Sequence, residues 1–270
     1  MSVRLLAFLV LFASAATACS PTQLLAGGFQ RSDNFDVFTP TVTTTEDAQN
    51  YARAVLQRAE HYRRAVATEW LGAPLPPSVG RATINVSHSD RDYGLTWAKD
   101  DANRKYHTVY LSTSVDRALN HTLAHEIVHV VLATRFPHPN RLPAWFEEGI
   151  ASRYDDPDRQ RTREQIVAWW AETGNWPNLQ TIVSSENIST DDQSAYAASA
   201  SVIEFLLSRR DAKTLMAFGE AARSDLNAAL RANYDLADTT QLQQAWQTWA
   251  GAPRQRVSRA EAIRSANGVK

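Results

Sequence analysis

The amino-acid sequence predicts an α+β fold, in which a small, mostly antiparallel sheet packs on helices that dominate the C-terminal half. Three observations lead to this prediction. Apolar residues recur at helical spacing early in the chain, short segments of alternating polarity follow, and the pattern after residue 114 is helical throughout. Strands that are grouped together, rather than alternating with helices, are typical of α+β proteins.

The first predicted helix begins near Glu46 and ends before Gly72. Its apolar positions from Ala48 to Tyr62 follow i, i+3, i+4 spacing, which places them on one face. Thr45 suits the N-cap, because its hydroxyl can accept a hydrogen bond from a free amide of the first turn. Acidic residues in that turn interact favourably with the helix dipole.

Three strands are predicted next, at Ala82–Ser87, Gly94–Ala98 and His107–Ser112, and alternating polarity is clearest in the first and the last. A polar turn at 100–104 separates the second strand from the third. All later elements are predicted to be helices, at about 115–135, 143–154, 159–172, 193–208, 211–222, 225–233 and 238–250.

The size and composition are those of one soluble domain, which we predict over residues 46–252. The chain has 270 residues, of which 44% are hydrophobic and 21% are charged, and its formal net charge is -1. The sequence has no excess of basic residues, so nucleic acid is not expected as a partner. We expect a monomer with a frayed polar tail at 253–270.

Residues 1–18 have the pattern of a secretory signal peptide. A short segment with one positive charge precedes the apolar run Leu5–Phe12, and small residues follow. Ala16–Ala18 is an A-x-A site for ordinary cleavage. The same residues followed by Cys19 also resemble a bacterial lipobox, although alanine stands where that motif usually has leucine.

Two processing routes therefore stay open, ordinary cleavage and lipidation of Cys19, and both predict an exported protein. Lipidation would anchor the protein to a membrane at the cell envelope, whereas ordinary cleavage would leave it periplasmic or extracellular. Cys19 is the only cysteine, so no internal disulfide can form. Residues 19–45, rich in Thr and also containing Ser, Gly, Pro and Asn, are predicted to be a linker.

His125, Glu126 and His129 form an H-E-x-x-H motif within an apolar helical segment. On a helix, residues four apart lie one turn from each other on the same face, so both imidazoles can bind one metal ion. Glu126 is rotated by about 100° from His125, and this position beside the metal suits a base acting on a water molecule. The motif predicts a zinc site with His125 and His129 as ligands and Glu126 as the general base.

A catalytic zinc ion usually has three protein ligands and one position for water, so a third ligand is expected. Glu147 and Glu148 lie in a helical segment that begins at Pro143. Eighteen residues separate His129 from Glu148, enough for a helix end, a turn and an antiparallel second helix. Such a helix could bring Glu148 to the metal, and Glu147 is the alternative.

Together these segments resemble the gluzincin metallopeptidases. The run W-F-E-E-G-I-A-S from Trp145 to Ser152 is similar to W-L-N-E-G-F-A-S in the aminopeptidase N family and to P-x-W-x-x-E-G-x-A in bacterial peptidase MA-like domains. The resemblance covers roughly residues 80–210 and implies a zincin-type fold, with Glu148 as the third ligand because it directly precedes the glycine. The aminopeptidase motif G-x-M-E-N has no match, so endopeptidase activity is expected instead.

Tyr196 is predicted near the start of a later helix. In the peptidase MA-like domains a tyrosine at such a place faces the metal, and the resemblance implies that its hydroxyl donates to the developing oxyanion. An aromatic anchor of the helix start is the alternative. His121 is expected to be a polar residue at an exposed helix start, and His88, His107 and His138 are expected on the surface or in loops.

The expected function is zinc-dependent hydrolysis of peptide bonds in a peptide or protein substrate. One rival is a catalytically inactive zinc-binding scaffold or interaction protein of the cell envelope. Another is a zinc hydrolase with a different substrate, such as a peptidoglycan stem peptide. In gluzincins an edge strand pairs with the extended substrate, and the resemblance implies that Thr108–Ser112 belongs to that sheet, with its place in the strand order left open.

Overall fold

The computed structural model describes residues 27–40, 44–101 and 104–252. The predicted signal peptide, Cys19 and the polar tail lie outside these ranges. Within them, no helix combines the length and the apolar character needed to cross a membrane. The architecture is α+β, with a small sheet in the N-terminal half and helices dominating the C-terminal half.

The described residues form a sheet of five strands, β1 (Gly28–Arg31), β2 (Phe35–Thr39), β3 (Ala82–His88), β4 (Tyr93–Asp101) and β5 (Arg104–Thr113). Their order across the sheet is β1-β2-β3-β5-β4. Two of its pairings, β1 with β2 and β4 with β5, are antiparallel, while β2 with β3 and β3 with β5 are parallel. The sheet is therefore mixed rather than mostly antiparallel.

The linker prediction is wrong for residues 28–39, which form β1 and β2. Phe35 and Val37 are fully buried in the core. Parallel strands need a long crossover connection, and the helix at Thr45–Leu71 (α1) supplies it between β2 and β3. Strands of four and five residues carry too few alternations to stand out in a segment rich in small polar residues.

The remaining helices are α2 (Val115–Leu119), α3 (His121–Arg135), α4 (Ala144–Ala151), α5 (Pro157–Thr173), α6 (Leu179–Val183), α7 (Gln193–Arg209), α8 (Ala212–Ala222), α9 (Leu226–Tyr234) and α10 (Thr239–Gly251). A short 3-10 helix, Ser152–Tyr154, follows α4. The predicted helix at 115–135 is two helices, because the backbone leaves helical geometry at Asn120. The five-residue α6 was not predicted, since one turn shows no periodicity. The cap of α1 is Thr44, one residue earlier than predicted.

Helix α3 lies in the centre of the molecule and is buried on all sides from Thr122 to Thr134. It contacts α1, α4, β4 and β5. Helix α4 in turn packs closely on α7 at Gly149, where a Cβ atom would lie 2.7 Å from the carbonyl oxygen of Ser199. These contacts force the polar side chains of α3 into the interior and bring α4 and α7 beside them.

Candidate metal centre

His125 and His129 on α3 and Glu148 on α4 converge on one point. Each offers a ligand atom, and these atoms all lie within 4.8 Å of one another. The Nε2 atoms of the two histidines are 3.4 Å apart. Glu148 Oε2 is 3.5 Å from Nε2 of His125, and Oε1 is 3.6 Å from Nε2 of His129. We call these three residues the inner cluster.

The inner cluster fits a metal ion. Glu148 Oε2 is buried and receives no hydrogen bond of good geometry from any residue that the structure describes. A buried carboxylate oxygen without a donor is costly, and a cation between the three groups would remove that cost. Two imidazole nitrogens and one carboxylate oxygen are donors that divalent transition metals accept.

The other ring nitrogen of His125 contacts Asp155, which lies just after the 3-10 helix. The distance from Nδ1 to Oδ1 is 3.1 Å, and Asp155 is only 2% exposed. Arg163 on α5 donates to the second oxygen of this carboxylate, and Arg159 lies 3.5 Å from the first. A carboxylate that accepts Nδ1–H fixes the imidazole tautomer and directs Nε2 toward the metal.

His129 has a similar arrangement with Glu147. Its Nδ1 lies 3.6 Å from Glu147 Oε2, an ion-pair contact that is longer than a hydrogen bond. Arg141 donates to both oxygens of Glu147, which is 3% exposed. The structure therefore places Glu148 at the Nε2 atoms and Glu147 behind His129. We call Glu147 and Asp155, together with their arginines, the outer region.

The inner cluster changes the pKa values of its members. Burial by itself lowers the pKa of His125, but the carboxylates of Asp155 and Glu148 outweigh burial and raise it to about 9. Burial by itself also lowers the pKa of His129, but the carboxylates of Glu148 and Glu147 outweigh burial and raise this pKa well above its usual value. Burial by itself raises the pKa of Glu148, but the two histidines lower it by more than burial raises it, so the pKa is below its usual value. In the absence of metal, protons therefore occupy the imidazoles and compete with a cation.

Glu126 lies beside the inner cluster rather than within it. It is 4% exposed, and burial raises the pKa of its carboxyl group against the opposing charges of His125 and His129. Thr96 on β4 donates a hydrogen bond of 2.6 Å to Glu126 Oε2. A carboxylate near a metal, but not among its ligands, can exchange a proton with a molecule at the metal.

Tyr196, in the first turn of α7, is half-buried near the inner cluster. Burial, followed by the charges of Glu148 and Glu126, raises the pKa of its hydroxyl, which places the side chain near both carboxylates. The guanidinium of Arg163 lies 5.5 Å from the centre of its ring. The structure thus brings Tyr196 to the site.

The expectation for His107 is wrong. His107 was predicted on the surface or in a loop, but it lies in β5, is 2% exposed, and its Nε2 is 3.2 Å from Thr134 Oγ1. It is buried because α3 covers this face of β5. The strand order, which the sequence left open for Thr108–Ser112, places this segment in β5, between β3 and β4. Among the described strands, β4 is therefore the edge next to α3. His121 is exposed and outside the inner cluster, as expected.

The fold and site together define a protein with a buried candidate metal centre between a central helix, a second helix and the edge of a small sheet. Asp155, Arg163, Arg141 and Thr96 complete its surroundings, and sequence reasoning missed them. No motif spacing marks these residues. Comparisons of the chain with protein-family models, curated proteins and solved structures gave no match.

Proposed function

We propose that the protein is an exported zinc metallopeptidase that cleaves peptide bonds within a peptide or protein substrate. The observation that carries this proposal is the convergence of His125, His129 and Glu148, with Glu126 directly beside them. The resemblance of the two sequence segments to the gluzincins supports it. Export rests on the signal-peptide pattern, and attachment to a membrane would use Cys19.

Zinc is the metal that best matches the donor set. Two imidazole nitrogens and one carboxylate oxygen are a common ligand set of catalytic zinc sites, which keep a further position for water. Zinc bound there would lower the pKa of water to about 7 and polarise the substrate carbonyl. The buried surroundings strengthen the interaction of the site with charge that develops during the reaction.

Glu126 is proposed to act as the general base. Its carboxylate takes a proton from the attacking water and passes it to the leaving amine. The upward shift of its pKa brings it closer to neutral pH, where a group that both accepts and releases a proton is most effective.

Tyr196 is proposed to donate a hydrogen bond to the oxyanion of the tetrahedral intermediate. Because burial and the nearby carboxylates raise its pKa, its hydroxyl stays protonated at neutral pH and remains a donor. The edge strand β4 is the place where an extended substrate could add its backbone to the sheet, as extended peptides do at exposed sheet edges. The G-x-M-E-N motif, which binds the free amine of the substrate in aminopeptidases, has no match in the sequence, and cleavage within a chain is therefore proposed.

Glu126→Gln tests the proposal. It removes the base without touching the ligands, so zinc content should equal that of the wild type while turnover of a fluorogenic peptide library falls at least about 100-fold. Glu164→Gln, the same change at an exposed position of α5, is the matched control and should leave turnover unchanged. Full activity in Glu126→Gln would overturn the assignment. Zinc binding without cleavage in the wild type would favour the scaffold function instead.

A further inference from the structure

The carboxylate of Glu126 packs against the edge strand β4 through two residues, Thr96 and Gly94. Thr96 Oγ1 lies 2.6 Å from Glu126 Oε2 and 3.2 Å from the main-chain oxygen of the same residue. The Thr96 side chain is half-buried and faces α3. The hydroxyl therefore reaches both the reactive group of Glu126 and the helix backbone that carries it.

Gly94 provides the space that the carboxylate occupies. A Cβ atom at this position would overlap Oε1 of Glu126 and lie 2.9 Å from Cδ and 3.0 Å from Cγ. Gly94 is not among the glycines with positive φ, which are Gly72, Gly80 and Gly174. The backbone conformation thus does not require glycine here, and the close approach of Glu126 does.

Together these contacts fix both oxygens of one carboxylate from the same strand. Oε2 accepts a hydrogen bond from Thr96, and Oε1 lies against the main chain at Gly94. A glutamate on a buried helix has three side-chain torsions, and its carboxylate could otherwise turn toward the two imidazoles next to it. The edge strand opposes that rotation.

We infer that Thr96 and Gly94 are positioning residues that hold the Glu126 carboxylate beside the metal centre, separate from the ligands. The inference rests on the proposed function, in which Glu126 is the general base. If so, β4 has two roles. Its free edge would bind the substrate, and its residues Thr96 and Gly94 align the general base. The side chain of Thr96 points to α3, so its loss affects alignment of the base rather than binding of the substrate.

Thr96→Val tests the inference, because valine keeps the shape of threonine and removes the hydroxyl. We expect kcat to fall about 10- to 100-fold with KM unchanged, since a misplacement of about 1 Å costs a reacting group on the order of 100-fold. Thr96→Ser restores the hydroxyl and should restore most of kcat. Gly94→Ala should lower kcat as well, because its methyl group displaces the carboxylate.

Thr108→Val is the matched control, the same change on the neighbouring strand β5, where residue 108 alternates with the buried residues that face the helices. It should leave kcat unchanged. Zinc affinity, measured by chelator competition, should be the same in all variants, because the ligands are untouched and a damaged fold would lower it. Crystal structures should show the Glu126 side chain displaced in Thr96→Val and in its original place in Thr96→Ser.

An unchanged kcat in Thr96→Val overturns the inference, and so does a loss that Thr96→Ser does not restore. If the wild type cleaves no peptide, the proposed function fails, and the crystal structures still decide the inference separately. In that case, a Glu126 side chain that stays in place in Thr96→Val overturns it, and a displaced one supports it.

Discussion

The inner cluster and the outer region contain carboxylates in contrasting surroundings. Glu147 and Glu148 are adjacent in α4, yet Arg141 donates to both oxygens of Glu147, whereas Oε2 of Glu148 receives no hydrogen bond of good geometry from the described residues. Asp155, like Glu147, contacts arginines. The difference indicates two roles. A carboxylate paired with arginine keeps that partner and orients its neighbours, whereas the charge of Glu148 is balanced, among the described residues, only by imidazoles whose protons a cation can replace.

The two regions also act on different nitrogens of the same histidines. Glu148 faces Nε2 of both rings, while Asp155 and Glu147 face Nδ1 of His125 and His129 respectively. A substitution in the inner cluster should therefore remove a metal ligand. A substitution in the outer region should leave all three ligands in place and only make the orientation of one histidine less fixed. Two sets of substitutions test this division, and the one with the larger expected effect comes first.

Glu148→Gln should have the largest effect on metal binding. Glutamine keeps the shape of the side chain but loses the charge that faces both imidazoles. Substitution of a residue that only orients a ligand lowers metal affinity by at most about 100-fold, and the loss in Glu148→Gln should be larger than that. Chelator competition at neutral pH measures this loss. The division between the regions would be wrong if Glu147→Gln, one residue away, weakened zinc binding more than Glu148→Gln.

Asp155→Asn and Glu147→Gln should each weaken zinc binding by about 10- to 100-fold, because the ligands remain and only their orientation is loosened. The effect of Asp155→Asn should be the larger, since its contact with His125 is 3.1 Å and that of Glu147 with His129 is 3.6 Å. Asp158→Asn, an exposed position in the first turn of α5, is the control and should leave affinity unchanged. If zinc affinity were the same in Asp155→Asn, Glu147→Gln and the control, the outer region would have no role in zinc binding.

Zinc affinity should increase with pH between about 7 and about 9. In the metal-free protein the pKa of His125 is raised to about 9, so below that value a proton must leave before the metal binds. Each imidazole that loses a proton should contribute about tenfold per pH unit. Competition titrations at several pH values measure the slope, and a flat profile between pH 7 and 9 would contradict it.

The same shift of the His125 pKa has an opposite consequence for the stability of the metal-free fold. A raised pKa in the folded state stabilises the fold fully below the ordinary histidine value of about 6.5, and this contribution is lost as the pH rises through about 9. Alkaline pH should therefore favour the metal-bound protein and weaken the metal-free one.

The sequence by itself predicted the α+β class, most helices and the residues of the inner cluster. It could do so because these features are local. Helix periodicity and caps act within a few residues, and the spacing of His125 and His129 places both on one helix face whatever surrounds them. The resemblance of the second segment to gluzincins then singled out Glu148 over its neighbour.

Only the tertiary structure decided the surroundings of those residues. Thr96 and Asp155 each reach the motif helix from thirty residues away, and Arg141 reaches Glu147 from a loop. The strand order that makes β4 the edge, and the two short strands in the supposed linker, depend on pairings between distant segments. Such contacts leave no periodic signal, because their geometry is set by the packing of α3 between the sheet and the C-terminal helices.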